Sequence, residues 1–336
     1  YYLTGKGVAV TEKLAGMKIN GMDAVRKFIS RYPLQLYISL SMLITLLLTG
    51  VMVLTAFNEG LQLHWIIAAG ILSAIGVSHL AITFVNWLVT LVILPHFLPR
   101  LDYSKGIPPE SRTLVVVPTL FSNAAELESL VETMDVRYLA NKDAHLHFAL
   151  LTDFTDAKTE TLPEDESLLD LAAIKINELN KKYQREKNDT FFIFHRPRRW
   201  NHAEKCWMGY ERKRGKLSEL NALLRGVGHE KFSLVVGDET LFSKIRYVIT
   251  LDTDTQLPRD AAMKIISTIA HPLNRAFYNE KKKRVTAGYG ILQPRLATSL
   301  PRTNSSLYAK MHGNEPGIDP YTRAVSDVYQ DLLQEG

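Results

Sequence analysis

Residues Tyr247 to Thr255 read YVITLDTDT, and the character of the chain changes in the middle of that stretch. Tyr247 to Leu251 carry no charge and mix β-branched, aromatic and aliphatic side chains, as a strand buried on both faces requires. Asp252 and Asp254 then place two carboxylates at i and i+2, where a strand must give way to a loop. The same change recurs upstream. Thr113 to Val117 (TLVVV) is a strand expected to end at Pro118, His145 to Leu151 (HLHFALL) is closed by Thr152-Asp153, and Phe191 to Phe194 (FFIF) is a third run. Between them, Ala124 to Leu139 has helical spacing with Ser122 or Asn123 as its cap. Lys158 to Asn188 carries Leu168, Leu169, Ala172, Ile176 and Leu179 at helical spacing among charges of both signs, and reads as a solvated, peripheral amphipathic helix. Strand and helix in alternation predict an α/β domain with a mainly parallel sheet. Ligands of such sheets bind beyond the carboxyl ends of the strands, which makes the polar residues there the candidates for function.

Further out, the pattern is different. Leu34 to Phe57 and Trp65 to Leu94 contain no Asp, Glu, Lys or Arg. A bilayer core about 30 Å thick is crossed by ~20 apolar helical residues, so both runs are long enough to span it. The second run reaches about 45 Å as a helix and must tilt, kink or protrude. A secretory signal peptide is excluded by the position and length of the first run. Arg26, Lys27 and Arg31 precede the pair, while Arg100 and Lys105 follow it; Asn58 to His64 is a short loop with Glu59. The positive-inside rule then puts both flanks in the cytoplasm, with a transmembrane hairpin between them. Trp65, Trp87 and Tyr37 are expected at the interfaces, and His79, mid-span, reads as a neutral helix–helix hydrogen bond. The expected organisation is a cytoplasmic segment at 1–33, a transmembrane hairpin at 34–94, a juxtamembrane linker at 95–110 and a cytosolic α/β domain at 111–336.

Composition agrees without deciding. The chain has 336 residues, is 46% hydrophobic and has a mean hydropathy of -0.05, an average over an apolar hairpin and a polar domain. The single Cys206 rules out an internal disulfide. A net charge of +5 and a pI near 9.0 would suit a nucleic acid, an anionic membrane or a phosphate-bearing substrate. The basic residues cluster at the membrane flanks and near the acidic pair rather than on one helix face, which argues against nucleic acid.

Several side-chain groups carry chemistry. Hard oxygen ligands such as Asp252 and Asp254 suit Mg²⁺ or Mn²⁺, with substrate phosphates completing the shell. In RKRGKLSELN (Arg212 to Asn221), Lys216 and Asn221 are candidate phosphate and ribose contacts near a helix start, against the plain alternative of a solvated basic turn. Asp153 and Asp156 either bind ligand or cap the next helix. Arg196, Arg198, Arg199, Trp200 and Trp207 can stack a base or a sugar, or simply pack. Lys281 to Arg284 reads as a solvated turn. No G-x-x-x-x-G-K-[ST] loop or G-x-S-x-G elbow exists, and GYG at Gly288 to Gly290 lacks the third glycine of a dinucleotide fingerprint. His195, His202 and Cys206 make a poor zinc set, because a lone cysteine comes without a C-x-x-C pair.

The strings LLTDFTDA, GKLSELN and VITLDTDTQLPRDA stand in the order used by GT-A-fold, family-2-like membrane glycosyltransferases. CWMGYERKRGKLSELNALLRG, GYGILQPR and AVSDVYQDLLQEG resemble more closely the glycosyltransferase segment of bacterial cyclic β-1,2-glucan synthases, glycosyltransferase family 84. The resemblance runs from the hairpin to the C-terminus and is most specific over Trp207 to Gly336.

It implies a cytosolic GT-A-like domain, anchored in the bacterial inner membrane, that transfers glucose from UDP-glucose, with inversion, to the 2-hydroxyl of a growing β-1,2-glucan. By the same resemblance Asp153 contacts the uridine, and Lys216 and Asn221 lie by the nucleotide sugar. Asp252 and Asp254 form the D-x-D pair, with Asp254 the direct ligand of Mg²⁺ or Mn²⁺. Gln293 and Arg295 line the donor or acceptor cleft. The metal would neutralise the departing diphosphate. An inverting transfer also needs a general base. Asp319 and Asp327 are ionisable but match no family motif, so the base and the Gln/Arg-Trp motif are expected beyond Gly336, in a larger synthase. VPTLFSNAAE also departs from the family's P-x-Y-N-E context. The alternatives are a synthase of another β-glucan or polysaccharide, or a non-catalytic nucleotide-sugar-binding component of an envelope polysaccharide complex.

Overall fold

The structure is a computed structural model that describes residues 7–17, 20–93, 97–183, 189–294 and 331–333. The chain divides into two compact units, Leu98–Leu292 and the remainder.

In the N-terminal unit the helices are α1 (Val8–Leu14), α2 (Gly21–Arg31), α3 (Pro33–Asn58) and α4 (Leu63–Val92). Asn20 caps α2 by accepting from the Met22 N–H, and Pro33 opens α3 at a position where no N–H is needed. The 26 residues of α3 and 30 of α4 give lengths of about 39 and 45 Å, both greater than a bilayer core. Their burial is slight, confined to Ser41, Ala81 and Val85, so the apolar side chains face outward, as they must in lipid. The two helices form the expected hairpin. Its cross-helix hydrogen bond runs from Tyr37 Oη to Asn86 Oδ1 at 2.9 Å, and the Cβ that Gly70 lacks would lie 3.3 Å from Val53. The His79 ring, expected to make such a bond, is exposed instead, and Tyr37 turns toward α4. Arg26 Nε donates to the Val92 carbonyl at 2.8 Å, tying α2 to the end of α4.

The second unit holds β1 (Thr113–Phe121), α5 (Ala124–Ala140), β2 (Leu146–Phe154), α6 (Asp165–Lys182), β3 (Phe191–Arg196), β4 (Arg199–Asn201), β5 (Cys206–Met208), α7 (Arg212–Leu223), β6 (Leu234–Val236), β7 (Tyr247–Thr250), α8 (Ala261–Ile269), β8 (Phe277–Asn279) and β9 (Arg284–Ala287). The main sheet has the order β6-β3-β2-β1-β7, parallel except for β6 at one edge. Val115, Val117, Phe148, Leu150 and Ile193 meet α5, α6 and α8 on one face. Leu114, Val116, Leu151, Phe192 and Phe194 meet Leu220 and Leu223 of α7 on the other. The α/β class expected from the sequence is therefore the class observed.

Several details differ from expectation. β1 runs through Pro118 to Phe121, because β7 pairs only with Thr113 to Val116. Beyond that point β1 has no strand neighbour on the β7 side among the described residues, so the N–H that proline lacks is not missed. β2 continues past Thr152-Asp153 to Phe154 and is buried throughout. α6 is not peripheral: Leu168, Ala172, Ile176 and Leu179 belong to the main core. Asn123, not Ser122, caps α5, accepting from the Glu126 N–H at 2.9 Å. The segment expected as a linker packs on the α/β unit, where Leu101 N–H donates to Ser267 O at 3.0 Å and Ile107 is buried. The three lysines from Lys281 to Lys283 do form a turn, between β8 and β9.

Candidate functional site

The order β3-β2-β1 reverses at β7, so β1 and β7 flank the switch point of the sheet, where parallel α/β folds take their ligands. Leu251 N–H still donates to Val116 O at 2.9 Å, and the chain then leaves the sheet as the acidic loop. Asp252 and Asp254 are both exposed. Asp252 Oδ1 is ion-paired with Lys213 Nζ in the first turn of α7, so α7 and the loop face each other across the carboxyl end of the sheet. Asp252 and Asp254 offer exposed hard oxygen donors of the kind that suits Mg²⁺ or Mn²⁺, with Lys213 as the present partner of Asp252.

Below this lies a buried ionic network. Asp153 at the end of β2 is 1% exposed and meets Arg196 through two bonds, Nε to Oδ1 at 2.8 Å and Nη2 to Oδ2 at 2.9 Å. Lys216 Nζ lies 3.0 Å from Asp153 Oδ2 and donates to the Thr119 carbonyl at 2.6 Å. Glu219 accepts from Arg196 Nη1 at 2.8 Å and from Arg199 Nη1 at 3.0 Å. Burial lowers the pKa of Lys216, with Asp153 opposing the shift. Burial also acts against Arg196, but there Asp153 and Glu219 outweigh it and raise the pKa. Gly209 makes the network possible: a Cβ there would stand 2.2 Å from Asp153 Oδ2. Gly215 is equally constrained, 2.2 Å from the Tyr210 carbonyl.

The structure thus brings Asp153 and Lys216 together, with Asp252 near the start of the same helix that carries Lys216. Asn221 is exposed further along α7, and Gln293 is exposed just past Leu292. Arg295, Asp319 and Asp327 lie outside the described residues. Neither Asp153 nor Asp156 caps α6, whose cap residue is Glu164. The arginines of the basic-aromatic cluster are neutralised internally. Arg198 pairs with Asp165, and Trp200 packs on Trp207 at 5.9 Å across the β4–β5 pair. Asp156, Glu204 and Cys206 lie within 4.8 Å of one another, but Arg212 already takes both carboxylates, at 2.9 and 3.0 Å.

Sequence reasoning missed Arg137. It lies in the last turn of α5, is 4% exposed, and its Nη2 donates to the carbonyls of Asp252, Thr253 and Thr255 at 3.2, 2.7 and 2.8 Å. One signal was available: Leu127, Leu130, Val131, Met134 and Tyr138 form the buried stripe of α5, and Arg137 falls on it at i+3 from Met134.

Fold and site together describe an α/β unit with an acidic loop at its sheet switch point, in a chain that also carries two membrane-length helices. No protein-family model matches the chain. It is 41% identical over 267 residues, 79% of its length, to the cyclic beta-(1,2)-glucan synthase NdvB of Rhizobium meliloti (strain 1021). It spans 9% of that relative's length, and the similarity supports the resemblance read from the sequence.

Proposed function

We propose that the chain is the donor-binding part of a membrane-anchored, inverting glucosyltransferase that extends a β-1,2-glucan from UDP-glucose. The observation that carries this reading is the placement of the Asp252–Asp254 loop at the β1/β7 switch point, facing the basic first turn of α7. The likeness to a cyclic glucan synthase supplies the substrate class.

On this reading Asp254, with Asp252, holds Mg²⁺ or Mn²⁺, which when bound supplies charge neutralisation for the departing diphosphate. Lys213, now paired with Asp252, would serve as a phosphate contact with a cation held there. Asp153 and Lys216 form a rigid, charge-balanced floor on the uridine side, fixed by Arg196 from below. Asn221 contributes at the rim. The base that takes the acceptor proton, and the remaining domains of the synthase, belong to sequence beyond this segment. The α/β unit works on the cytoplasmic side of the inner membrane, held there by the hairpin.

Isothermal titration of UDP into the chain in detergent tests the reading. Binding should require Mg²⁺ or Mn²⁺ and should fall at least tenfold in Asp254→Ala. Equal UDP affinity in EDTA and in Mg²⁺ refutes the metal assignment. Linkage analysis of product made by the longer synthase tests the acceptor, since glucan without 1,2-linkages removes that part of the reading.

A further inference from the structure

We infer that Arg137 is the positioning residue of the acidic loop: its guanidinium gathers the carbonyls of Asp252, Thr253 and Thr255, and so turns the two carboxylates outward to receive a divalent cation. The inference rests on the metal-binding reading of that loop.

The simpler role for a cation in the last turn of a helix is to cap its own carbonyls or complement its dipole. Arg137 does not do the former. The end of α5 is closed by Asn141, whose N–H donates to Tyr138 O at 3.0 Å and whose Nδ2 reaches Arg137 O at 3.3 Å. The Arg137 side chain instead leaves its helix and spends one nitrogen on three carbonyls more than a hundred residues away. Its Nε and Nη1 are buried with no hydrogen-bond partner among the described residues. Leaving two guanidinium donors unsatisfied costs free energy that a purely structural residue, such as leucine on the same stripe, would not incur.

Geometry shows what the arrangement accomplishes. Three carbonyls converging on one nitrogen curl the backbone, and Thr255 N–H closes the turn on Asp252 O at 3.1 Å. With the carbonyls turned inward, the side chains of Asp252 and Asp254 face solvent. Asn141 completes the clamp, taking Leu257 O at 3.2 Å through Nδ2 and accepting from Ala262 N–H at 3.0 Å, which fixes the loop to the start of α8. The fixed positive charge also eases the repulsion between two carboxylates held at i and i+2. Groups that orient metal ligands in this way are typically worth about 10- to 100-fold in metal affinity.

The test is Mn²⁺ binding by the whole chain in detergent, followed by electron paramagnetic resonance with and without UDP, for the unaltered protein, Arg137→Met and Arg137→Lys. Thermal melts report the folded fraction of each. Arg137→Met should weaken Mn²⁺ by roughly 10- to 100-fold and alter the Mn²⁺ spectrum. Arg137→Lys, which keeps the charge and loses the fork, should fall between the two. A purely structural role would lower the melting temperature but leave affinity and spectrum per folded molecule unchanged; that result in Arg137→Met overturns the inference. If Arg137→Met does not fold, the same result in Arg137→Lys overturns it. Absence of Mn²⁺ binding by the unaltered chain sinks the metal reading of the loop and this inference with it, whereas binding that the variants leave intact sinks the inference alone.

Discussion

Replacing Asp153 with asparagine keeps the shape of the end of β2 and removes one charge from the buried network. Arg196 and Lys216, both almost wholly buried, then keep Glu219 as their one carboxylate partner among the described residues, beside the carbonyls of Thr119, Tyr210 and Arg212. Breaking a buried ion pair by removing one partner costs about 3–5 kcal/mol, because the surviving charge stays out of water. For a unit the size of Leu98–Leu292 each kcal/mol moves the melting temperature by about 2–4 °C, so Asp153→Asn should melt roughly 6–20 °C below the unaltered chain at pH 7. Tryptophan fluorescence during a thermal ramp reads this directly, since Trp200 and Trp207 sit on the adjoining β4–β5 pair. A second signature separates charge from packing. Burial already lowers the Lys216 pKa and Asp153 resists that shift, so without Asp153 the ammonium sheds its proton more readily. The deficit should therefore shrink between pH 7 and pH 10 as Lys216 becomes neutral. A shift under about 2 °C at pH 7, or a gap that does not narrow with pH, refutes the argument that charge balance holds this region together.

Acid should destabilise the same unit through its histidines. Burial pushes His147 down to about 4 and His195 down to about 3, while an unfolded histidine titrates near 6.5. The unfolded chain thus binds more protons below that value, so stability is complete above pH ~6.5 and falls as pH drops toward 4, by about 1.4 kcal/mol per pH unit for each ring. Urea midpoints at pH 7, 6 and 5 check this, and replacing His147 with glutamine should flatten the slope. Gly209→Ala pushes a methyl against the Asp153 carboxylate and should cost about 1–3 kcal/mol, while the equivalent change at Gly290, where a Cβ would meet only Val285 at 3.7 Å, provides a contrast free of steric conflict. Similar melting temperatures for Gly209→Ala and the unaltered chain would show that the network has slack.

The central strands were legible in the sequence because they are buried on both faces, which produces uncharged β-branched runs such as Thr113 to Val117 and Tyr247 to Leu251. The hairpin was legible for the same reason on a larger scale. What escaped was whatever depends on distant partners. Thr152-Asp153 reads as the end of a strand, yet β2 continues, because Arg196 follows on the neighbouring strand and neutralises Asp153 there. Three-residue strands such as β4 and β5 are too short to show a period. His79 looked like the polar contact of the hairpin, but Tyr37 and Asn86 make it. Of the site, the acidic pair and Lys216 were visible as residue types at strand and helix ends. Their support was not: nothing local marks Lys213 as the partner of Asp252, or Arg137 as the residue beneath the loop.

The unequal length of β1 and β7 has a consequence for where the acidic loop leaves the sheet. β1 advances five residues beyond its last β7 partner, Val116, a ledge about 16 Å deep at ~3.3 Å per residue. Lys216 reaches the carbonyl of Thr119 on that ledge. Along that stretch β2 is the strand partner of β1 among the described residues, and where β7 stops decides where the chain turns out of the sheet. A two-residue extension of β7 would take Leu251 and Asp252 into the sheet, so the point where β7 stops also fixes where the acidic residues leave it.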